Sequence, residues 1–503
     1  MQETRRLCRL SSTLWTDGDG LGARKALRQA QQLTLAGISR IPGEPGYNDW
    51  NQLRIEVFAA ASRLFLRAEQ PGKALLTSQV ALQMLGTGGQ LDGYGRAAAL
   101  DLRVTHATEA VNQAPDGAAR TALIEDLDAV TDECLAASEE LPDHGGIMGR
   151  AVNNALLLRL QPLHVAREIS DPERQVQAWL WVGQARGAIS AADMPESSLQ
   201  PVNRQVVDLA RRLGSWERAW EAVTQSLRTS YQRNEKVSLL AKAALLAWER
   251  GNRPDAISYG NAARTASIAV DLPWVRLYAY QAGVVAAAAG GGSVTAALTA
   301  YRTCVDSVGH ASRPGRAWEA AQVALDAGYP VRDTRRFLQQ IGFGNNASIH
   351  QKSFAAVILS DRENRTTRQR EWESVDIALL DAPDRARFHL AAARSALRQG
   401  HKSAAAVHLN QGQAHLLHWP GLTSAALKQA ATEILDTTPV TKAQQKVLNL
   451  LVEGLSNEAI ATKLEISSRT VAVHVQALLK RRCAGSRTEL ATQELRRQLL
   501  TSV

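Results

Sequence analysis

The chain has 503 residues and a formal net charge of +9. This length exceeds what one hydrophobic core usually organises, so we expect several units or a repeat array. Apolar residues make up 45% of the chain and charged residues 21%, as in soluble globular proteins. No run of 18 apolar residues and no secretory signal is found, which argues against a membrane protein and predicts a cytoplasmic one. The cysteines are isolated from one another, so neither a disulfide nor a metal site is predicted: Cys8, Cys134, Cys304 and Cys483.

Residues from about 20 to 432 carry apolar side chains at helical spacing, with short turns rich in Gly, Pro or Asp and no sustained alternation typical of strands. One sequence pattern recurs: a helix ends near a glycine, and the next helix begins with an alanine five positions after that glycine. A left-handed glycine stops the first helix, and the small alanine lets the next helix pack closely. The pattern occurs as Gly214 with Ala219, Gly251 with Ala256, Gly291 with Ala296 and Gly400 with Ala405, and more loosely as Gly22 with Ala26 and Gly72 with Ala74.

The glycines at 214, 251 and 291 are 37 and 40 residues apart, a spacing typical of helical hairpins that stack into a superhelix. These hairpins resemble degenerate tetratricopeptide repeats. The resemblance implies a TPR-like α-solenoid over residues 1–435 that serves as a sensor or interaction region; an alanine-rich helical bundle is the alternative. Trp216 and Trp220 share one helix face, and we interpret them as core packing rather than as a cage for a ligand.

The sequence contains no constellation typical of catalysis. The stretch Gly400-His401-Lys402-Ser403 lacks the adjacent Gly and Lys of a phosphate-binding loop, and the histidines lack H-E-x-x-H spacing. We therefore predict a protein that is not an enzyme and that binds no cofactor. The histidines between 401 and 418 are expected on helix surfaces: His401, His408, His415 and His418.

The C-terminal segment differs in charge and pattern from the rest of the chain. From Thr438 to Val503 there are ten Lys/Arg against five Asp/Glu, the excess expected of a module that meets nucleic acid. A polar break at 436–440 is predicted to be a linker, followed by a domain at 441–503. Apolar spacing and capping residues predict four helices there: Thr441 to Glu453, Asn457 to Leu464, Arg469 to Arg482, and Thr488 to Leu500.

The second and third of these helices fit a helix-turn-helix. A small residue lets the two helices cross closely, and apolar residues around the turn fix their angle; the predicted core of the motif is Ala461, Leu464, Ile466 and Val471. Outward residues of the third helix are able to reach DNA, since Arg and Thr bond phosphate, Gln reads adenine and Val contacts a thymine methyl. The complete predicted DNA-contacting set is Ser468, Arg469, Thr470, Val473, His474, Gln476, Lys480, Arg481 and Arg487.

The same residues carry a specific resemblance to the LuxR-type helix-turn-helix family. It rests on Gly454-Leu455-Ser456-Asn457, Ile460-Ala461, Leu464, Ile466-Ser467, Thr470-Val471, His474 and Ser486-Arg487-Thr488-Glu489. The resemblance implies a sequence-specific transcription regulator whose third helix enters the major groove of double-stranded DNA and whose fourth helix supports a homodimer. With the helical arm, the chain resembles the C-terminal half of MalT-like regulators without their ATPase, which implies control by a protein or small-molecule effector.

Several positions depart from the LuxR-type pattern, and three of them motivate an alternative: Ala459 stands for a glutamate, Ala472 for a lysine and Arg482 for a leucine. The absence of the lysine at 472 is expected to remove one contact with DNA, and Arg482 is expected to alter core packing or to add positive charge. The alternative hypothesis is therefore a solenoid interaction scaffold whose helix-turn-helix no longer binds DNA. The effector, the operator and the sense of regulation are not determined by the sequence.

Overall fold

The computed structural model describes residues 1–35, 44–67, 71–85, 91–113, single positions between 122 and 137, 172–191, 199–229, 233–270, 272–308, 314–436, 440–482, 484 and 486–501. Within these residues the chain forms helices and turns and contains no β-strand, which confirms the predicted all-α class. None of the described helices has both the length and the apolar character that a bilayer span requires.

The helices are, in chain order, α1 (Gln2–Thr16), α2 (Gly20–Leu35), α3 (Tyr47–Arg67), α4 (Pro71–Leu85), α5 (Gly93–Gln113), α6 (Pro172–Ala191), α7 (Leu199–Leu213), α8 (Trp216–Thr229), α9 (Arg233–Arg250), α10 (Arg253–Ala266), α11 (Pro273–Ala286), α12 (Val294–Val308) and α13 (Pro314–Asp326). They continue as α14 (Val331–Gln340), α15 (Phe343–Asn346), α16 (Ile349–Arg362), α17 (Gln369–Glu373), α18 (Ala382–Arg398), α19 (Lys402–His415), α20 (Leu422–Asp436), α21 (Lys442–Val452), α22 (Asn457–Leu464), α23 (Ser468–Arg482) and α24 (Arg487–Thr501).

The chain divides into two compact units, Met1–Lys352 and Ser353–Val503. In both units a helix packs on the next helix and on the next but one, as α3 does with α4 and α5, and α18 with α19 and α20. This is the packing expected of consecutive antiparallel hairpins. The likeness to tetratricopeptide repeats and the predicted division at 436–440 stay predictions.

Three of the predicted hairpin turns have the expected glycine geometry. Gly214, Gly251 and Gly400 adopt φ angles of 73°, 88° and 79°, which a residue with a Cβ rarely adopts. In each turn the residue after the glycine donates its N–H to the carbonyl five residues back, at 2.8 Å, and so satisfies an otherwise orphaned carbonyl of the helix end. The alanines that follow are fully buried: Ala219, Ala256 and Ala405.

Of the other three glycine turns, Gly22 and Gly72 were predicted wrongly, whereas a helical segment does end at Gly291 as predicted. Gly291 ends a π-helical segment, Ala287–Gly291, and the left-handed residue is its neighbour Gly290, with φ of 106°. Because three glycines follow one another here, the turn is free to take the residue that suits the packing of the next helix. Gly22 and Gly72 lie inside α2 and α4, so neither ends a helix.

Ion pairs connect the first helices of successive hairpins in the Met1–Lys352 unit. Arg204 of α7 bonds Glu235 of α9 at 2.9 Å. Arg211 of α7 bonds Glu249 of α9 at 2.8 Å and Glu319 of α13 at 3.0 Å. One arginine thus joins helices that are more than 100 residues apart in sequence, so α7, α9 and α13 face a common interior.

The paired tryptophans contribute to the core of this array. Trp216 and Trp220 stack with ring centroids 5.2 Å apart. Trp216 is buried, and its indole N–H donates to the carbonyl of Leu246 at 3.1 Å. A buried indole with its donor satisfied by a neighbouring helix is a packing element, as predicted.

Candidate nucleic-acid interface

Helices α21 to α24 enclose a compact apolar core. Each of the four helices contributes side chains to it, because apolar residues recur at helical spacing along one side of each. The partly buried Leu464 and Ile466 close the core on the side of the turn between α22 and α23. The buried members are Val447, Leu448, Leu450, Leu451, Ile460, Ala461, Val471, Val475, Leu478, Ala484 and Leu490.

Helix α21 begins with a reciprocal cap that fixes the first residues of the domain. The backbone N–H of Gln444 donates to the Thr441 hydroxyl at 3.2 Å, and the N–H of Thr441 donates to the Gln444 side chain at 3.1 Å. This is the capping box expected of a Thr-x-x-Gln pattern, a signal available in the sequence that the prediction did not use. Gln445 donates to the buried Glu494 at 3.2 Å, which joins α21 to α24.

The turn between α22 and α23 is closed by a left-handed glutamate. Glu465 has φ of 54°, and the N–H of Ile466 donates to the carbonyl of Ala461 at 3.1 Å. This bond ends α22 and directs Ile466 back to the core. Ser456 caps the other end of α22 by accepting the N–H of Ala459 at 3.2 Å, as predicted.

Helix α23 begins at Ser468 because Ser467 caps it. The Ser467 hydroxyl accepts the backbone N–H of Thr470 at 3.0 Å and shares a 2.8 Å hydrogen bond with the Thr470 hydroxyl. The exposed start of α23 therefore presents the positive end of the helix dipole, which favours a nearby anion.

The two sides of α23 are sharply different. Val471, Val475 and Leu478 are buried in the core, whereas Val473 is 59% exposed. Val473 lies one helical turn from the exposed Arg469 and Gln476, so its apolar side chain shares the outward side of α23 with these polar groups. The exposed predicted residues form one outward face, and His474 is half-buried at its edge: Ser468, Arg469, Thr470, Val473 and Gln476.

The comparisons agree with this geometry. The family described as bacterial regulatory proteins, luxR family, matches residues 438–493. Residues 438–493 are a LuxR-family helix-turn-helix domain. The chain is 36% identical over 72 residues to the nitrate/nitrite response regulator protein NarL of Escherichia coli K12, and equally to that of Escherichia coli O6:H1. These matches cover 14% of this chain and 33% of either relative, so the chain spans about a third of the length of the curated relatives it matches.

Arg487 connects two segments of the LuxR-family domain. Its guanidinium donates to the side chain of Asn457 at 2.7 Å and to the backbone carbonyl of Leu455. It thereby joins the start of α24 to the loop before α22, across about 30 residues of sequence. A contact of Arg487 with DNA stays a prediction, while its role in holding that loop is evident from the bonds.

The negative charge of Glu458, at the start of α22, is stabilised by neighbouring groups. The pKa of the Glu458 carboxyl is held below its usual range, first by its own backbone N–H, then by the Ser456 hydroxyl and the positive charge of Arg487. Glu458 is therefore ionised at neutral pH beside the positive end of α22.

The departures from the LuxR-type pattern fall in two places. Ala459 and Ala472 are exposed, so neither alanine removes a side chain from the core. The backbone of Arg482 ends α23, but its side chain lies outside the described residues, as do those of Lys480 and Arg481. The effect of these departures on DNA binding stays a prediction.

Proposed function

We propose that this protein is a sequence-specific DNA-binding transcription regulator and that α23 of its LuxR-family domain enters the major groove. The observation that carries this proposal is the outward face of α23, with Arg469, Thr470, Val473 and Gln476 exposed opposite a buried apolar stripe. An α-helix held in this way fits the width of a major groove.

The exposed side chains divide into positioning and reading groups. Ser468 and Arg469 lie in the first turn of α23, where a hydroxyl, a guanidinium and the helix dipole favour a phosphate. Gln476 is suited to bond an adenine edge, and Val473 to contact a thymine methyl. The proposed DNA-facing set is completed by Thr470, His474, Lys480, Arg481 and Arg487.

In the same proposal the helical-hairpin region binds an effector or a protein partner that controls the LuxR-family domain. Stacked hairpins present extended surfaces on which such partners bind. A homodimer through α24 is part of the proposal, because the LuxR-type resemblance implies dimerisation through the fourth helix; Leu495 of that helix is 48% exposed.

The test begins with the full-length protein and fragmented genomic DNA, from which bound fragments are selected and sequenced. Binding to the selected site is then measured for the wild type, for Arg469→Ala and for Gln476→Ala. Loss of a base-reading contact is expected to cost about 1 to 3 kcal/mol on the selected site. Loss of a phosphate contact is expected to weaken binding to all sequences and to lower the salt slope by about 1.

Lys446→Ala is the matched control, because Lys446 is exposed on α21 and its loss removes the same charge as Arg469→Ala. It is expected to bind the selected site like the wild type within experimental error. If no fragment is enriched, or if the α23 variants and the control bind alike, the regulator proposal fails and the interaction-scaffold alternative takes its place.

A further inference from the structure

Four residues of α23 lie along one stripe on the outward side of the helix. Arg469, Ala472, Val473 and Gln476 are all exposed, and at about 3.6 residues per turn they fall within an arc of about 100°. At a rise of about 1.5 Å per residue the stripe is about 10 Å long, which is the length of about three base-pair steps in B-DNA. In a major groove, α23 therefore presents these side chains to about three consecutive base pairs.

The middle of this stripe is apolar. Ala472 stands at the position where the LuxR-type pattern has a lysine, and its neighbour Val473 is 59% exposed. Neither side chain donates or accepts a hydrogen bond. Because Ala472 is exposed and lies outside the apolar core of the domain, its methyl group is available to a base pair once α23 lies in the groove.

Apolar side chains in the major groove discriminate between base pairs. Thymine presents a methyl group there, whereas guanine presents two acceptors and cytosine a donor. An apolar side chain over a G·C pair would leave those polar groups without water and without a partner, which is costly. Ala472 and Val473 therefore favour thymine methyls. Gln476, one turn further along, suits N6 and N7 of adenine, so three neighbouring positions of the stripe all favour A·T pairs.

We propose that Ala472 is a specificity-determining residue of α23 and that, together with Val473 and Gln476, it selects an operator whose contacted core is a run of about three A·T pairs. The two apolar side chains contact thymine methyls, and Gln476 bonds an adenine edge. The proposal deepens the proposed function and rests on it, since α23 must lie in the major groove. The alanine in place of a lysine then changes which bases are read and does not abolish DNA binding.

The first test selects DNA with the full-length protein from a pool of duplexes that have a randomised central segment. The wild type is expected to enrich one motif with an A·T core. Ala472→Lys is expected to enrich guanine at one position of that core, because lysine bonds O6 and N7 of guanine, and to prefer its own motif over the wild-type motif about tenfold. A G·C core in the wild-type motif, or the same motif for both proteins, overturns the proposal.

Ala443→Lys is the matched control, because Ala443 is exposed on α21 and the substitution adds the same charge on a different helix. It is expected to enrich the wild-type motif. Alanine and lysine are both strong helix formers, and both positions are exposed, so each variant is expected to keep the circular dichroism spectrum of the wild type. Guanine in the motifs of both variants would mean that added charge alone changes the selection, and Ala472 would not determine specificity.

The second test removes thymine methyls one at a time. Deoxyuridine replaces each thymine of the selected core, which keeps the base pairing and deletes a single methyl group. Wild-type binding is expected to weaken about fourfold at each thymine that Ala472 or Val473 contacts, the effect of losing one buried carbon group, and to be unchanged by replacements outside the core.

Unchanged binding at every core thymine overturns the proposal. A protein that enriches no duplex at all contradicts the proposed function together with this inference. A protein that enriches a discrete motif with a G·C core contradicts this inference alone and leaves the regulator proposal in place.

Discussion

Glu465 is a single residue on which the angle of the helix-turn-helix depends. Its φ of 54° is a conformation that costs a residue with a Cβ roughly 1 to 2 kcal/mol. Glu465→Gly is therefore expected to stabilise α22 and α23 by up to about 1 kcal/mol, part of the gain being lost to the flexibility of glycine in the unfolded chain. Amide hydrogen exchange of α22 and α23 in the full-length protein measures this.

Glu453→Gly serves as the comparison for that experiment. Glu453 caps the end of α21 with φ of −69°, so glycine relieves no strain there. It adds flexibility and removes the exposed 3.2 Å ion pair with Lys463 of α22, so it is expected to leave exchange in α22 unchanged or slightly faster. Slower exchange in α22 and α23 for Glu465→Gly, but not for Glu453→Gly, is the expected pair of results. Equal exchange in the two variants would contradict the strain argument.

Arg487 is the second residue with a distinct role, because it bonds the loop before α22 from the start of α24. Arg487→Gln is expected to lose about 1.5 to 3 kcal/mol of local stability, the value of hydrogen bonds from a charged group. Exchange should quicken in α22 and α24, while Arg469→Ala leaves exchange unchanged. Unchanged exchange in Arg487→Gln would mean that these bonds do not hold the loop.

At the scale of elements, α18 and α19 contain a cluster of three histidines, two of which, His408 and His415, were predicted to lie on a helix surface. His389 of α18 is buried, and its Nδ1 lies 3.3 Å from Nδ1 of His408. Its ring stacks on that of His415 with centroids 5.5 Å apart. His408 and His415 are half-buried, so the surface prediction holds only in part; periodicity within α19 does not reveal a histidine on the helix that covers it.

This cluster predicts a pH dependence. Burial lowers the pKa of His389 to about 4 from 6.5, helped by His415, His408 and Arg385, and burial and Arg385 lower that of His415 to about 4. The unfolded chain therefore takes up protons first as the pH falls. Stability is expected to be intact above about pH 6.5 and to decline between pH 6.5 and 4.

Hydrogen exchange of α18 and α19 as a function of pH, corrected for the intrinsic exchange rate, checks this decline. His389→Gln, which keeps a polar group of similar size without a titrating ring, is expected to flatten the profile. His401→Gln is the control, because His401 is exposed at the start of α19. A decline of the same size in both variants would place its origin outside the cluster.

Local signals explain which parts of the fold and site were predictable. The sequence predicted the turns at Gly214 and Gly251 and the cap of α22, because each depends on hydrogen bonds between residues at most five positions apart. The contacts of Arg487 with Leu455 and of His389 with His408 join distant segments, and no local pattern records them. At Gly291 the sequence located the end of the helix but not the left-handed residue, which is Gly290, because packing chose among three adjacent glycines.

At the scale of the whole molecule, the division into Met1–Lys352 and Ser353–Val503 has a thermodynamic consequence. Each unit has its own buried core, so calorimetry of the full-length protein is expected to resolve two transitions. Arg211 lies in the first unit, with Glu249 only 3% exposed beside it. Removal of one partner of a buried ion pair costs about 3 to 5 kcal/mol, because the other charge is left uncompensated.

Arg211→Met is therefore expected to lower the midpoint of one transition and to leave the other unchanged. Arg487→Gln should do the reverse, because its bonds lie within the second unit. The double variant is expected to shift both transitions by the sum of the single effects, since sites in separate cores do not share partners. A single transition that shifts as a whole in every variant would instead mean that the two units unfold together. In that case a ligand that stabilises the helical hairpins would also stabilise the LuxR-family domain.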